Sequence, residues 1–260
     1  EHSKGVVSTE TLRVLLHADC RTKDAVQALS TEALTGLPPA AAREVTQYLV
    51  RLLRESLGRE SAGVVSDATL LCLVEAGCRT QAALRRQASV NGPSGAAVAD
   101  LPAAAGLEVA AYLLRGELGH AELISGETLR SLVQAGCRTQ AAVQALGADR
   151  VATLPAAAAA EVRQYLARLL RDSLDSLGFH PVHPRGDVLG DQSVLSLVEA
   201  GCRTQHNVQS LSKEAVVALP AVAAQELAEY LLRGPLGERS RGVVGSQTLR
   251  LLLQAGCRTR

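Results

Sequence analysis

The tripeptide Cys-Arg-Thr occurs five times in this chain, beginning at Cys20, Cys78, Cys137, Cys202 and Cys257. The copies are 58, 59, 65 and 55 residues apart, and four of them follow Ala-Gly while the first follows Ala18-Asp19. A related stretch lies upstream, as in Thr11-Leu12-Arg13-Val14-Leu15-Leu16, Thr128-Leu129-Arg130-Ser131-Leu132-Val133 and Thr248-Leu249-Arg250-Leu251-Leu252-Leu253. Downstream comes a Leu-Pro break at Pro38, Pro102, Pro155 and Pro220, then an Ala-rich segment holding Tyr48, Tyr112, Tyr165 or Tyr230. Self-similarity at a fixed interval marks an array whose units bury their apolar faces against their neighbours.

A second period overlies the first. Gln47–Arg54 and Gln164–Arg171 match one another, whereas Tyr112–Gly116 and Tyr230–Gly234 form a different matched pair. The array therefore reads A-B-A-B: repeat A1 at 1–61, B1 at 62–121, A2 at 122–178, a Pro-rich linker at 179–187, B2 at 188–241 and the start of a fifth repeat at 242–260. Neither end carries a polar capping repeat, so the expectation is a piece of a longer array.

One repeat reads entirely as helix. In A2, Ser125 is an N-cap with Glu127 in the first turn. Leu129, Leu132 and Val133 then fall at i, i+3 and i+4. Gly136 stops that helix, and Thr139 caps a short one lined by Ala142, Val143 and Leu146. A further turn around Val151 leads to Pro155, expected at a first helical position. Residues 155–172 form the long helix, with Val162, Leu166, Leu169 and Leu170 as its apolar stripe. The fold class is thus all-α, tandem repeats of about 60 residues with three short helices and one long helix each. Aromatic residues make up only 2% of the chain and Trp is absent, so the core must be Leu, Val and Ala, which suits closely packed helices better than sheets. In B1 the second helix is expected to give way to a looser stretch over 85–95. The Phe179–Asp187 segment, with two prolines, reads as the best domain boundary.

The run from Leu132 to Leu170 resembles the helix-hairpin-helix group of nucleic-acid-binding domains, which also place an Ala-Gly-x-Arg-Thr step, a short helix and a Leu-Pro turn before a longer helix. That resemblance implies a small helical architecture and contact with nucleic acid. The family's hairpin is Gly-rich so that backbone N–H groups approach a phosphate. Here Pro39-Ala40-Ala41, Ala103-Ala104-Ala105, Ala156-Ala157-Ala158 and Ala221-Val222-Ala223 stand at the matching places, and no Lys follows them. With 27 Lys plus Arg against 26 Asp plus Glu, no basic field gathers nucleic acid from a distance. The Gly-Val-Val-Ser entry at Gly63–Ser66 also resembles plakin repeats, which recur at a shorter interval and carry a Gly-rich hairpin that this chain lacks.

The repeated cysteines do not have metal-knuckle spacing, and equivalent cysteines one repeat apart are too distant to bridge. They read as small buried hydrophobes at helix ends, or else as thiols on an assembly surface. Arg21, Arg79, Arg138, Arg203 and Arg258 follow them and are expected to bond helix-end carbonyls or acidic groups of the adjacent repeat. The tyrosines are expected in the packing with their hydroxyls at its edge. His180 and His183 make a weak metal pair, and Arg185-Gly186-Asp187 is the tripeptide that integrins bind. No phosphate loop, nucleophile elbow or recurring carboxylate pair is present, and no cofactor is implied. The expected function is a structural or scaffolding protein, not an enzyme, whose partners are proteins: copies of itself or neighbouring repeats. Cys20, Cys78, Cys137, Cys202 and Cys257, with Arg21, Arg79, Arg138, Arg203 and Arg258, are the candidate assembly or inter-repeat contacts. No stretch is long enough to insert in a membrane. Free thiols would suit the cytoplasm, the slightly favoured compartment, and cross-linked ones an extracellular setting.

Overall fold

The computed structural model describes residues 7–90, 101–175, 189–233 and 244–257. The protein is all-helical, and no strand occurs among the described residues. The first stretch holds α1 (Thr9–His17), α2 (Lys23–Gln27), α3 (Thr31–Thr35) and the long α4 (Pro39–Leu57). After a 3-10 turn at Arg59–Ser61 come α5 (Asp67–Glu75), α6 (Gln81–Val90) and the long α7 (Ala103–Glu117). Next are α8 (Gly126–Gln134), α9 (Gln140–Gln144), α10 (Ala148–Ala152) and the long α11 (Ala156–Asp175). The last stretches hold α12 (Asp191–Glu199), α13 (Gln205–Gln209), α14 (Lys213–Ala218), α15 (Ala221–Ala228, continuing as a π turn over Glu229–Arg233) and α16 (Ser246–Gln254).

The Cys-Arg-Thr tripeptide is a helix corner. The residue before each cysteine has a left-handed backbone: Gly77, Gly136, Gly201 and Gly256 at φ 83, 86, 88 and 85°, and Asp19 at 58°. Glycine takes that conformation without a Cβ clash, and aspartate is among the few side chains that tolerate it. The cysteine N–H then reaches back five residues, as from Cys78 to the Leu73 carbonyl at 2.8 Å and from Cys202 to that of Leu197 at 2.9 Å. This closes the helix and turns the cysteine side chain inward as the hydrophobe that normally accompanies such a cap. The threonine two residues later opens the next helix: Thr22, Thr80 and Thr204 hydroxyls accept the N–H of Ala25, Ala83 and Asn207 at 3.1, 3.1 and 3.3 Å.

First helices are capped similarly at Ser8, Ser66 and Ser125, whose hydroxyls accept the N–H of Thr11, Thr69 and Thr128. The prolines differ from the expected position. Pro38, Pro102 and Pro220 are the N-caps of the long helices, with extended ψ of 140, 140 and 145°, and α11 likewise starts at Ala156 rather than at Pro155. The second helix of B1 also differs, because α6 runs on to Val90 instead of loosening at Arg85. Leu84, Arg85 and Arg86 are good helix formers, and nothing breaks the run before Asn91. Residues 91–100, the Phe179–Asp187 linker with His180, His183 and Arg185, and Arg258 lie outside the described residues.

Two compact units are present: Glu1–Ala121 with Ser125–Gln140, and Glu122–Ile124 with Ala141–Arg260. In the first, α5 packs between α4 and α7, and α8 packs on α7. In the second, α12 packs between α11 and α15, and α16 packs on α15. The cores are aliphatic: Val45, Leu49 and Leu53 in α4, and Val162, Leu166 and Leu170 in α11, are essentially inaccessible to solvent. Leu169 is only half-buried, and Tyr165 takes the place in the stripe expected of it. No described helix is long and apolar enough to cross a membrane.

Candidate functional site

Among the described residues, the tripeptide arginines Arg79 and Arg203 are anchors. Arg203 is half-buried. Its Nε donates to the Gln144 carbonyl at 3.1 Å, Nη2 to Leu146 at 2.8 Å, and Nη1 to Val198 at 2.6 Å and Cys202 at 3.0 Å. One guanidinium thus ties the end of α12 to the carbonyls that α9 leaves without helical partners. Arg79 repeats the arrangement in the first unit. Its Nη1 donates to the Gln27 carbonyl at 3.1 Å and also to that of Leu29, both at the end of α2. Its Nε and Nη2 are buried without partners. Burial draws both guanidinium pKa values down. Arg21, by contrast, pairs with Asp19 at 3.1 Å in full view of solvent, and Arg138 is exposed. An exposed pair of that kind adds under about 1 kcal/mol.

The cysteines beside them are closed in. Cys20, Cys78, Cys137 and Cys202 are buried, and Cys257 alone of the five is exposed. Burial raises the Cys78 thiol and pushes that of Cys202 up to about 11, against a small opposing pull from Arg203. Thiols so disposed are poor nucleophiles and poor cross-linking groups at neutral pH. Among the described residues no group of three or more His, Cys, Asp or Glu could hold a metal ion.

A second recurrent feature escaped the reading of the sequence. Four residues before each tyrosine stands a glutamate: Glu44, Glu108, Glu161 and Glu226. The Glu44 carboxylate accepts the Ser8 N–H at 2.7 Å, Glu108 that of Ser66 at 2.7 Å, and Glu226 that of Gly190 at 2.7 Å. The long helices α4, α7 and α15 thereby clasp the start of α1, α5 and α12. The Glu44 carboxyl is held below the ordinary range, first by the Ser8 N–H and then by the Thr11 and Ser8 hydroxyls. Burial raises that of Glu108, but the N–H of Ser66 and the hydroxyls of Thr69 and Ser66 outweigh it and leave it lowered. Depressed folded-state values stabilise the fold above the ordinary glutamate pKa and lose that effect as the pH falls through the depressed ones. Urea midpoints should therefore hold steady down to about pH 5 and drop below about pH 4. Glu44→Gln with Glu108→Gln should flatten that drop, and an unchanged acid limb would refute the clasp.

The tyrosines divide. The Tyr112 hydroxyl accepts from Gln81 Nε2 at 2.7 Å and donates to the Leu57 carbonyl at 3.2 Å, and Gln205 Nε2 donates to the Tyr230 hydroxyl at 3.3 Å. Tyr48 is half-buried. Tyr165 is wholly buried and its hydroxyl has no partner, in place of the edge position expected of it, and burial pushes its pKa up to about 12. An orphaned buried hydroxyl costs about 1–3 kcal/mol. Tyr165→Phe should accordingly raise the melting temperature and Tyr112→Phe lower it, each by an amount worth about 1 kcal/mol. Calorimetry on the two variants reads the opposite signs directly.

Beside Arg203 lies a cleft of about 270 Å³ floored by Ala148, Ala152, Leu166 and Val198. On its rim Arg163 Nε and Glu199 Oε1 stand 3.9 Å apart. Asp149 also lines it, and the guanidinium of Arg203 is already committed to carbonyls. No protein-family model, curated protein or solved structure matches this chain.

Proposed function

We propose that this chain is a structural or scaffolding protein, an A-B-A-B array that acts by self-assembly or by binding other proteins. The observation that carries the reading is the alternation of its anchors. Arg79 and Arg203, both in B repeats, hold the α2 and α9 ends of the preceding A repeats, whereas Arg21 of A1 pairs only with its neighbour Asp19 at the surface. Further polar pairs follow the same rule. Arg54 meets Asp67 and Arg171 meets Asp191 (2.8 Å) where A passes to B, while Gln81 and Gln205 rest their N–H groups on Ser56 and Ser173 at 3.0 and 3.1 Å. These recurring polar side chains are thus occupied in joining helices, which suits a scaffold.

The mass of the purified chain should be followed by light scattering across a concentration series, with and without reductant. Growth with concentration is expected, insensitive to reductant because four of the five tripeptide thiols are buried. Strict monomer that also captures no protein partner would sink the reading. The nucleic-acid alternative predicts a DNA mobility shift that weakens steeply with salt. The alanines that replace the family's glycines, Ala156–Ala158, form the first turn of α11 and bring no cation there.

A further inference from the structure

The cleft beside Arg203 is formed where an A repeat passes to a B repeat. α10 packs on α11 and α11 on α12, so two helices of A2 and the first helix of B2 wall it together. Leu166 and Val198 on its floor are at most 2% exposed, whereas Ala148 and Ala152 are exposed and too small to close it. Its volume of about 270 Å³ has room for one leucine-sized side chain. Charge is unevenly spread around the mouth. Asp149 and Glu199 are exposed there, and Arg163 stands 3.9 Å from Glu199, too far for a hydrogen bond. Arg203 spends its guanidinium on carbonyls. Among the residues lining the cleft, two carboxylates thus face one uncommitted cation.

The place of Glu199 in its helix is unfavourable. It is the last residue of α12, where the helix dipole disfavours negative charge. Its counterpart in B1, Glu75, ends α5 in the same way. The other three copies end this helix in His17, Gln134 and Gln254. A carboxylate that costs its own helix stability, present in both B repeats and in no other copy, has its use outside the helix. The rest of the cleft recurs with it. Glu32 stands in α3 where Asp149 stands in α10, and Leu49 and Val74 are buried as Leu166 and Val198 are. At the place of Arg163 the first block has Thr46, whose hydroxyl donates to the Ala42 carbonyl at 2.8 Å. The acids therefore recur without that arginine, so pairing with it is not the reason for them.

We propose that the cleft receives, from a partner protein, a leucine-sized apolar side chain with an arginine or lysine beside it. The apolar group rests on Leu166 and Val198, and the cation answers Asp149 and Glu199. This names the partner chemistry of the scaffold reading, in its protein-binding form, and rests on that reading. Burial of the apolar group supplies most of the affinity. The two acids choose among partners, because an acidic neighbour to that group would meet like charge at the mouth.

The probe is the peptide acetyl-Arg-Leu-Arg-amide, titrated into the full chain with its alanine, leucine and valine methyl groups labelled for NMR. Acetyl-Glu-Leu-Glu-amide and acetyl-Arg-Gly-Arg-amide are titrated alongside. Saturable shifts at Ala148, Ala152, Leu166 and Val198 are expected from the first peptide alone, weakening as salt rises. Asp149→Asn with Glu199→Gln, both at exposed positions, should weaken that binding about fivefold, the worth of two exposed charge pairs. Circular dichroism should show no loss of stability in this variant, since Glu199→Gln takes a negative charge from a helix end that disfavours it. Ala152→Phe, which fills the cleft from an exposed position, should abolish the shifts. A cleft that stays silent with the first peptide, binds either control peptide equally well, or binds unchanged after the double substitution overturns the proposal. The scaffold reading is decided separately: a chain that grows with concentration in light scattering keeps it even when the cleft takes no peptide.

Discussion

Replacing Arg203 with alanine is expected to destabilise the second compact unit by about 3 kcal/mol, roughly the cost of leaving several buried acceptors unpaired. The guanidinium meets four carbonyls, of Gln144, Leu146, Val198 and Cys202. One of these, Gln144, ends α9, a helix of only five residues that has no long hydrophobic face to hold it, and Leu146 lies two residues beyond. Without the anchor those acceptors must find water beside the buried Val143 and Leu146. Charge alone is not what matters. Arg203→Lys keeps the cation but loses the planar fork that spans Gln144 and Leu146, so it should recover less than half of the loss. Arg21→Ala is the internal control: the same residue of the same tripeptide, exposed beside Asp19, should move stability by less than about 0.5 kcal/mol. Urea unfolding of the three variants, with hydrogen exchange across residues 140–147, measures this. Equal effects at 203 and 21 would show that the anchor contributes nothing.

That contrast also marks how far the sequence is readable. The corner itself is legible from local chemistry, because a glycine before the cysteine and a threonine after it each carry a specific backbone demand. Which arginine is buried is not legible locally, since it depends on where the preceding repeat leaves its second helix. The glutamate clasp was readable as a spacing of four before each tyrosine, yet glutamate on a helix is usually solvated, and only the fold shows Ser8, Ser66 and Gly190 N–H groups arriving at it. The orphaned Tyr165 hydroxyl is invisible for the same reason. Tyr112 and Tyr165 both follow a glutamate by four residues in a long helix, and of the two only Tyr112 is met by a glutamine, Gln81. For α6, the good helix formers Leu84, Arg85 and Arg86 carry the helix on to Val90 before the glycines that follow can end it.

Gly126→Val should be the most damaging single-residue enlargement in the first unit, costing about 3 kcal/mol, at the upper end of ordinary overpacking. A Cβ at position 126 would run into the Gly63 carbonyl oxygen and stand 3.0 Å from its carbon, both of them backbone that cannot swing aside. Gly63 is itself in the left-handed region at φ 72°, so the turn that brings its carbonyl there is already specialised and cannot relax cheaply. The joint around this contact is continuous: Arg130 donates to the next carbonyl, Val64, and Leu129 and Val133 are buried where α8 meets α7. Forcing the two backbones apart would therefore weaken a hydrogen bond and an apolar seam together. Size should matter in proportion, with Gly126→Ala costing about half as much as valine, because its one added carbon meets the same two atoms. Gly36→Ala provides the opposite sign. Its Cβ would come no closer than 3.5 Å to any atom and its φ is −76°, so the loss of unfolded-state freedom should stabilise the fold by up to about 1 kcal/mol. Melting temperatures for the three variants, together with hydrogen exchange across residues 126–134, read the prediction. A Gly126→Val protein within about 0.5 kcal/mol of the wild type would show that the two backbones do not approach in solution, and the seating of α8 on α7 would then need another origin.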